Sequence, residues 1–127
     1  MSAPAPSAKS VTERLQVKGD RRIAVLNAPL AVSDALGAER PRTPAEQAEV
    51  VVLFVADQAE FDLLLDDALK AARPDAVFWL AYPKLTSSLA GDLNRDVVHR
   101  SCLGKGLRTV SQIAIDDDWS ALRLKRT

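Results

Sequence analysis

The fold is decided by the stretch VVVLFVADQAEFDLLLDDALKAA, which runs from Val50 to Ala72. Its first six residues, Val50 to Val55, form the continuous β-branched and aromatic run that is typical of a strand covered on both faces, as in parallel sheets. Asp57 and Glu60 then have capping-box spacing, which predicts the start of a helix that Pro74 must end. One apolar stripe of helical spacing follows the cap: Phe61, Leu64, Leu65, Ala68, Leu69 and Ala72.

Apolar runs on either side of this stretch predict two more strands, at Ile23 to Leu26 and at Ala76 to Ala81. The first run stops at Asn27-Ala28-Pro29, because proline cannot donate to a strand ladder. After the second, Asp92 has the residue type of an N-cap and predicts a helix from Leu93 to about Leu103. Since strands and helices alternate, right-handed crossovers and a three-layer α/β sandwich are expected.

Two further strands are predicted near the C-terminal end of the sequence, at residues 109–115 and 119–125, with a turn at Asp116-Asp117-Asp118 between them. The turn is too short for a crossover, so these strands should form an antiparallel hairpin. The predicted fold is therefore Rossmann-like but without the dinucleotide motif. It has a mostly parallel sheet of about four strands, a C-terminal antiparallel hairpin strand, and helices centred near Leu65 and Val98.

A chain of 127 residues with 47% apolar and 27% charged residues predicts one globular domain, here residues 10–127. Residues 1–9 lack large apolar side chains and predict a disordered tail. A short helix is expected from Ser10 to about Val17, where Ser10 and Glu13 have capping-box spacing. Residues 30–36 are interpreted as a short helix or turn and residues 37–44 as a polar loop.

The composition excludes several classes of protein. Seventeen basic and 17 acidic residues give no net charge, which argues against a nucleic-acid or membrane-surface partner. One cysteine and one histidine can form neither an internal disulfide nor a zinc cluster. There is no apolar run of membrane-spanning length and no signal-peptide layout, so a cytoplasmic protein is expected. Charge is uneven along the chain, and the resulting patches would either orient a partner or second subunit or be solvated helix faces.

The candidate ligand site follows from topology. In open parallel sheets, ligands bind beyond the carboxyl ends of the strands. Asn27, Tyr82 and Lys84 follow two predicted strands, and Ser88 and Arg95 come next along the chain. Hydroxyls, an ammonium and a guanidinium suit a phosphate or carboxylate, while loop capping and surface ion pairing are the alternative roles. The sequence therefore predicts that these five residues bind a small anion, provided that the first and third strands are neighbours.

Other chemical groups point to structure rather than to a site. The Asp116-Asp117-Asp118 run lacks the glycine and glutamate of a calcium loop and is interpreted as a turn. Gly104-Lys105-Gly106 follows a helix and is interpreted as its C-cap. His99 is interpreted as a surface histidine and Cys102 as a small buried apolar residue. Because no glycine pattern follows the first strand, nicotinamide and S-adenosylmethionine cofactors are not expected; neither a metal nor a catalytic motif is predicted.

Four motifs carry a resemblance to a known family: Asn27-Ala28-Pro29, Trp79-Leu80-Ala81-Tyr82-Pro83-Lys84, Asp92-Leu93-Asn94-Arg95-Asp96 and Trp119-Ser120-Ala121-Leu122-Arg123. Over residues 11–125 the chain resembles a small bacterial family of domains of unknown function. The resemblance implies a small cytoplasmic α/β domain. It implies no activity, ligand or site residue.

Two functions remain open from the sequence. The first is a non-catalytic α/β module that binds a small anionic ligand or a protein partner, with a homodimer as one form. The alternative is a small enzyme whose pocket at the carboxyl ends of the strands uses Lys84, Tyr82 and Arg95. The first is favoured because enzyme sites normally contain a partnered titratable pair, and these candidates have no such partner in sequence.

Overall fold

The computed structural model describes residues 15, 21–29 and 43–126, which form an α/β fold with one five-stranded sheet. The predictions for residues 1–9, 10–17 and 30–36 and for most of the 37–44 loop lie outside the described residues, apart from Leu15. The strands are β1 (Ile23–Leu26), β2 (Val50–Phe54), β3 (Val77–Pro83), β4 (Leu107–Ala114) and β5 (Trp119–Arg126), and the helices are α1 (Gln58–Ala71) and α2 (Arg95–Leu103), with a 3₁₀ turn at Ala45–Gln47.

The sheet is mixed, with the strand order β1-β2-β3-β5-β4. β1, β2 and β3 pair in parallel, whereas β5 runs antiparallel to both of its neighbours, β3 and β4. The prediction of a mostly parallel sheet is therefore wrong. The physical reason is that the chain turns back after β4 and inserts β5 between β3 and β4, so that half of the strand pairings become antiparallel. The predicted C-terminal antiparallel hairpin is present.

Both described helices lie on one face of the sheet. The chain moves in one direction across the sheet from β1 to β4, and right-handed crossovers in one direction all fall on the same side. α1 contributes Phe61 and Leu65, and α2 contributes Val98 and Cys102, to one buried cluster on that face. Among the described residues, helices therefore cover one face of the sheet only.

A second apolar cluster covers the opposite face, which we call the outer face. Its largest members are Phe54, Trp79 and Trp119, and Leu15 packs against them. The indole Nε1 of Trp79 donates to the carbonyl oxygen of Leu15 at 3.0 Å. The N-terminal part of the chain therefore reaches the outer face at this residue.

The start of α1 follows the sequence prediction closely. Asp57 caps the helix and accepts a hydrogen bond from the amide of Glu60 at 2.9 Å. The carboxylate of Glu60 reaches back to the amide of Ala56 at 2.7 Å, one residue before the position expected for a capping box. The helix ends at Ala71, ahead of Pro74.

The predicted cap of α2 is wrong. Asn94, and not Asp92, is the N-cap, and its side chain accepts from the amide of Val97 at 3.0 Å. Asp92 instead accepts from the amide of Gln58 at 2.8 Å, in the first turn of α1. Its carboxylate thus satisfies a free amide of the other helix, a contact between residues 34 positions apart that local spacing does not reveal.

A carboxylate ties together the segments that lead into β1, β2 and β3. Glu49 accepts from the backbone amide and the guanidinium of Arg22, at 2.6 and 2.9 Å, and lies 3.3 Å from the guanidinium of Arg73. The hydrogen bonds from Arg22 lower the pKa of Glu49 to about 2 from an ordinary value of 4.5.

We expect Glu49→Gln to lower the melting temperature at neutral pH. Because the folded-state pKa lies below the unfolded value, the stabilisation by Glu49 is fully present above about pH 4.5 and is lost as the pH falls towards about 2. Melting curves of the parent and the variant should therefore converge across that interval. The exposed Glu46→Gln serves as the matched control, and equal parent-to-variant differences at the two ends of the interval would contradict the role of Glu49.

Candidate functional site

The carboxyl ends of β1 to β4 lie along one edge of the sheet, where β5 begins. At this edge the amide of Lys84 donates to the carbonyl oxygen of Asp118 at 2.8 Å, which joins the exit of β3 to the β4–β5 turn. Two cavities open there. The Tyr82 cavity, of about 240 Å³, is lined by Tyr82, Lys84, Leu85, Thr86, Asn94, Arg95, Gln112 and Ser120. The Asn27 cavity, of about 440 Å³, is lined by Asn27, Ala28, Pro29, Phe54, Ala56, Glu60, Pro83, Leu89 and Trp119.

Tyr82 lies in the core at the end of β3, and its hydroxyl reaches the cavity that bears its name. The side-chain amide of Gln112 donates to this hydroxyl at 3.2 Å. Burial raises the pKa of Tyr82, the charge of Arg95 opposes that rise, and Asp96 adds to it. At neutral pH the group is therefore a neutral phenol, and its own proton is available for a hydrogen bond to a ligand.

Lys84 and Arg95 give the Tyr82 cavity a positive character. Lys84 is half-buried and Arg95 is exposed, and within the described part of the chain neither side chain forms an ion pair. Arg95 is also the first residue of α2, where the positive end of the helix disfavours a cation. None of the described lining residues is acidic, so the cavity is suited to an anion.

The structure brings together three of the five residues predicted to bind a ligand. Tyr82, Lys84 and Arg95 line the same cavity, whereas Asn27 lines the other one. The condition that the first and third strands are neighbours is not met, because β2 lies between them and separates Asn27 from Lys84. Ser88 is exposed and lines neither of the two cavities.

Sequence reasoning missed Gln112, Asn94 and Ser120. Gln112 lies opposite Leu122 in the β4–β5 register, and Ser120 lies opposite Tyr82 in the β3–β5 register. Both positions depend on the insertion of β5 between β3 and β4, for which the sequence carries no signal. Asn94 did carry one, because asparagine is a preferred N-cap residue.

The other chemical groups have structural roles. His99, which was interpreted as a surface histidine, is half-buried, and its Nδ1 lies 2.8 Å from the hydroxyl of Thr109. Cys102 is buried as predicted, and burial raises the pKa of its thiol to about 11. Asp116 makes the predicted turn by accepting from the amides of Asp118 and Trp119, both at 2.8 Å.

Metal clusters and membrane-spanning helices are both absent from the described ranges. Across residues 21–29 and 43–126, the side chains of His, Cys, Asp and Glu form no group of three or more that could hold a metal ion. None of the helices in this part of the chain has the length and apolar character needed to cross a membrane.

Comparison with known proteins shows the fold alone. The chain is similar to the structure of a LepI variant in complex with SAH and a substrate analogue, with a TM-score of 0.52 and 12% identity, and to that of LepI in complex with SAM, with a TM-score of 0.50 and 9% identity. Each alignment covers 92% of this chain and 39% of the LepI chain, so this chain spans about two-fifths of those proteins.

No protein-family model and no curated protein matches the chain. The resemblance to a bacterial family of domains of unknown function therefore stays a prediction. The fold is α/β, built on a mixed five-stranded sheet with two described helices, and it is shared with part of LepI, whose structures contain SAM or SAH.

Proposed function

We propose that the protein is a binding module whose Tyr82 cavity takes a small anion, a carboxylate or a phosphate. The observation that carries this proposal is the pair of cations, Lys84 and Arg95, beside a cavity with no acidic residue among its described lining. Two like charges at one cavity repel each other, and a bound anion relieves that repulsion. The hydroxyls of Tyr82 and Thr86 add neutral donors that fix the orientation of the anion.

The proton-transfer chemistry of the same residues favours binding over catalysis. An enzyme that uses Tyr82, Lys84 and Arg95 needs a group that accepts a proton near neutral pH. The raised pKa of Tyr82 removes it from that role. The guanidinium of Arg95 has five N–H donors and no acceptor atom, so the described lining supplies mainly donors and positive charge.

The LepI structures contain SAM or SAH, and this likeness offers a second ligand class. Here, however, β1 is followed by Asn27-Ala28-Pro29, without the glycines that let a backbone approach a nucleotide cofactor closely. SAM therefore serves as a comparison ligand, and a simple anion is the expected one. An acidic side chain of a protein partner, or of a second copy of the chain, would present the same carboxylate chemistry to Lys84 and Arg95.

The test is a titration of the chain with phosphate, pyrophosphate, citrate and SAM, followed by calorimetry and thermal stability. We expect a saturable anion complex that Lys84→Met and Arg95→Met each weaken by about ten- to a hundredfold, the value of one charged hydrogen bond. Lys125→Met is the matched control, because Lys125 is an exposed cation at the opposite end of the sheet. The proposal fails if no anion binds or if all three variants bind the anion equally well. Tight binding of SAM alone would favour SAM-like ligands, the second ligand class.

A further inference from the structure

The Asn27 cavity differs in chemistry from its neighbour. It lies at the carboxyl ends of β1 and β2, and its described lining contains one carboxylate, Glu60, and no cation. Its floor includes Phe54 and Trp119, whose ring centroids are 5.1 Å apart at an interplanar angle of 71°. With Pro83 alongside, these rings give the cavity a rigid apolar base that favours a flat apolar group.

The backbone at the mouth of the cavity is held in an unusual conformation. Asn27 has φ of 59°, in the left-handed region, which asparagine adopts more readily than most other non-glycine residues. Its side-chain amide fixes this turn by donating to the carbonyl oxygen of Phe54 at 2.9 Å and to Glu60 Oε1 at 3.3 Å.

The two carboxylate oxygens of Glu60 differ in their contacts with the described residues. Its Oε1 accepts from the amide of Ala56 at 2.7 Å as well as from Asn27, whereas its Oε2 has no hydrogen-bond partner among the described residues. The side-chain carbonyl oxygen of Asn27 also lacks one within the same ranges. Among the described residues, the cavity therefore combines an apolar base with two acceptors that make no protein hydrogen bond, and its described lining offers no cationic donor. This is the opposite of what an anion requires.

We propose that the Asn27 cavity is a second binding site, for a flat aromatic ring that carries an amino group. The ring lies against the apolar base of the cavity, and the amino group donates to Glu60 Oε2. The approach of a donor to a carboxylate oxygen is a charge-assisted hydrogen bond, the stronger kind, and it sets the specificity for the amino group. This proposal does not require that an anion binds near Lys84.

The test compares 9-methyladenine with 9-methylpurine, which differ only in the amino group, by calorimetry and by the indole N–H signals of the protein. The chain contains two tryptophans, so the spectrum holds two such signals. We expect 9-methyladenine to shift the signal of Trp119, which lines the cavity, and not that of Trp79, which does not. It should bind at least about tenfold more tightly than 9-methylpurine. Equal affinity for the two compounds, or no binding of either, would overturn the proposal.

Glu60→Gln tests the acceptor directly. Glutamine can keep its oxygen on the Ala56 amide and then presents an amide donor where Oε2 stood, so 9-methyladenine should lose about tenfold or more and 9-methylpurine should not. Should that variant unfold, Leu89→Lys provides a second measurement, because Leu89 is an exposed residue on the rim and a lysine there competes for Glu60. Leu63→Lys, on the exposed side of α1, is its control. Unchanged affinity for 9-methyladenine in the folded test variant would count against the site.

Discussion

Replacement of Trp79 by alanine is expected to lower the free energy of unfolding by about 3–5 kcal/mol, the usual cost of removing a buried aromatic side chain. Trp79 is 1% exposed, lies in the middle of β3, and is among the largest fully buried residues of the described chain. It packs in the outer-face cluster and also holds Leu15 through its indole N–H. For a domain of ordinary stability, this loss is a large fraction of the total.

Urea unfolding followed by far-UV circular dichroism measures this effect. Leu63→Ala is the matched control, because Leu63 is 72% exposed and its loss should change the free energy by no more than about 0.5 kcal/mol. Trp79→Phe should fall between the two, since it keeps a ring in the core and loses the hydrogen bond to Leu15. A cost below about 1.5 kcal/mol for the alanine variant would show that the outer face tolerates a cavity and is less tightly packed than its burial indicates.

The second large effect that we expect is a loss of anion affinity at the Tyr82 cavity. We expect the double variant Lys84→Met/Arg95→Met to weaken pyrophosphate binding by about a hundredfold or more, because both charged donors to one ligand are lost together. If both side chains contact the same anion, the two losses are coupled and the double variant should deviate from the sum of the single ones. Calorimetry at fixed ionic strength provides the four pyrophosphate affinities of this double-mutant cycle, which are those of the parent, the two single variants and the double variant.

The control for the double variant removes the same amount of charge elsewhere. Arg108 and Lys125 lie opposite each other on β4 and β5, at the far end of the sheet from the Tyr82 cavity. Arg108→Met/Lys125→Met therefore matches the change in net charge without touching the site. If this control weakens binding as much as the test variant does, long-range attraction explains the affinity and the cavity does not.

Local patterns predicted most of the elements. The buried run at Val50, the stripe that begins at Phe61 and the cap at Asp57 are signals carried by neighbouring residues, and the structure contains both the strand and the helix. Local patterns do not predict the strand order, because the order depends on which strand edges pair after the chain has collapsed. The run that became β5 has the same local pattern whether it lies at the edge of the sheet or inside it.

The residues of the candidate site show the same difference between local and long-range signals. Tyr82 and Lys84 are close in sequence, and one loop leads from them to Arg95, so chain connectivity alone was enough to bring them together. Asn27 required β1 to neighbour β3, and Gln112 required the β4–β5 register; both depend on long-range pairing. The exchange of Asp92 for Asn94 as the cap of α2 has the same origin, because Asp92 binds the distant amide of Gln58.

The position of β5 also affects how the chain is synthesised. β4 leaves the ribosome before β5, yet β5 is the strand to which it pairs in the sheet. Until residues 119–126 emerge, one edge of β3 and one edge of β4 therefore lack the β5 ladder, and exposed edges of this kind invite pairing with other chains. Exposed Arg108 on β4 places a charge on this strand, and a charged side chain on an edge strand disfavours pairing with another chain.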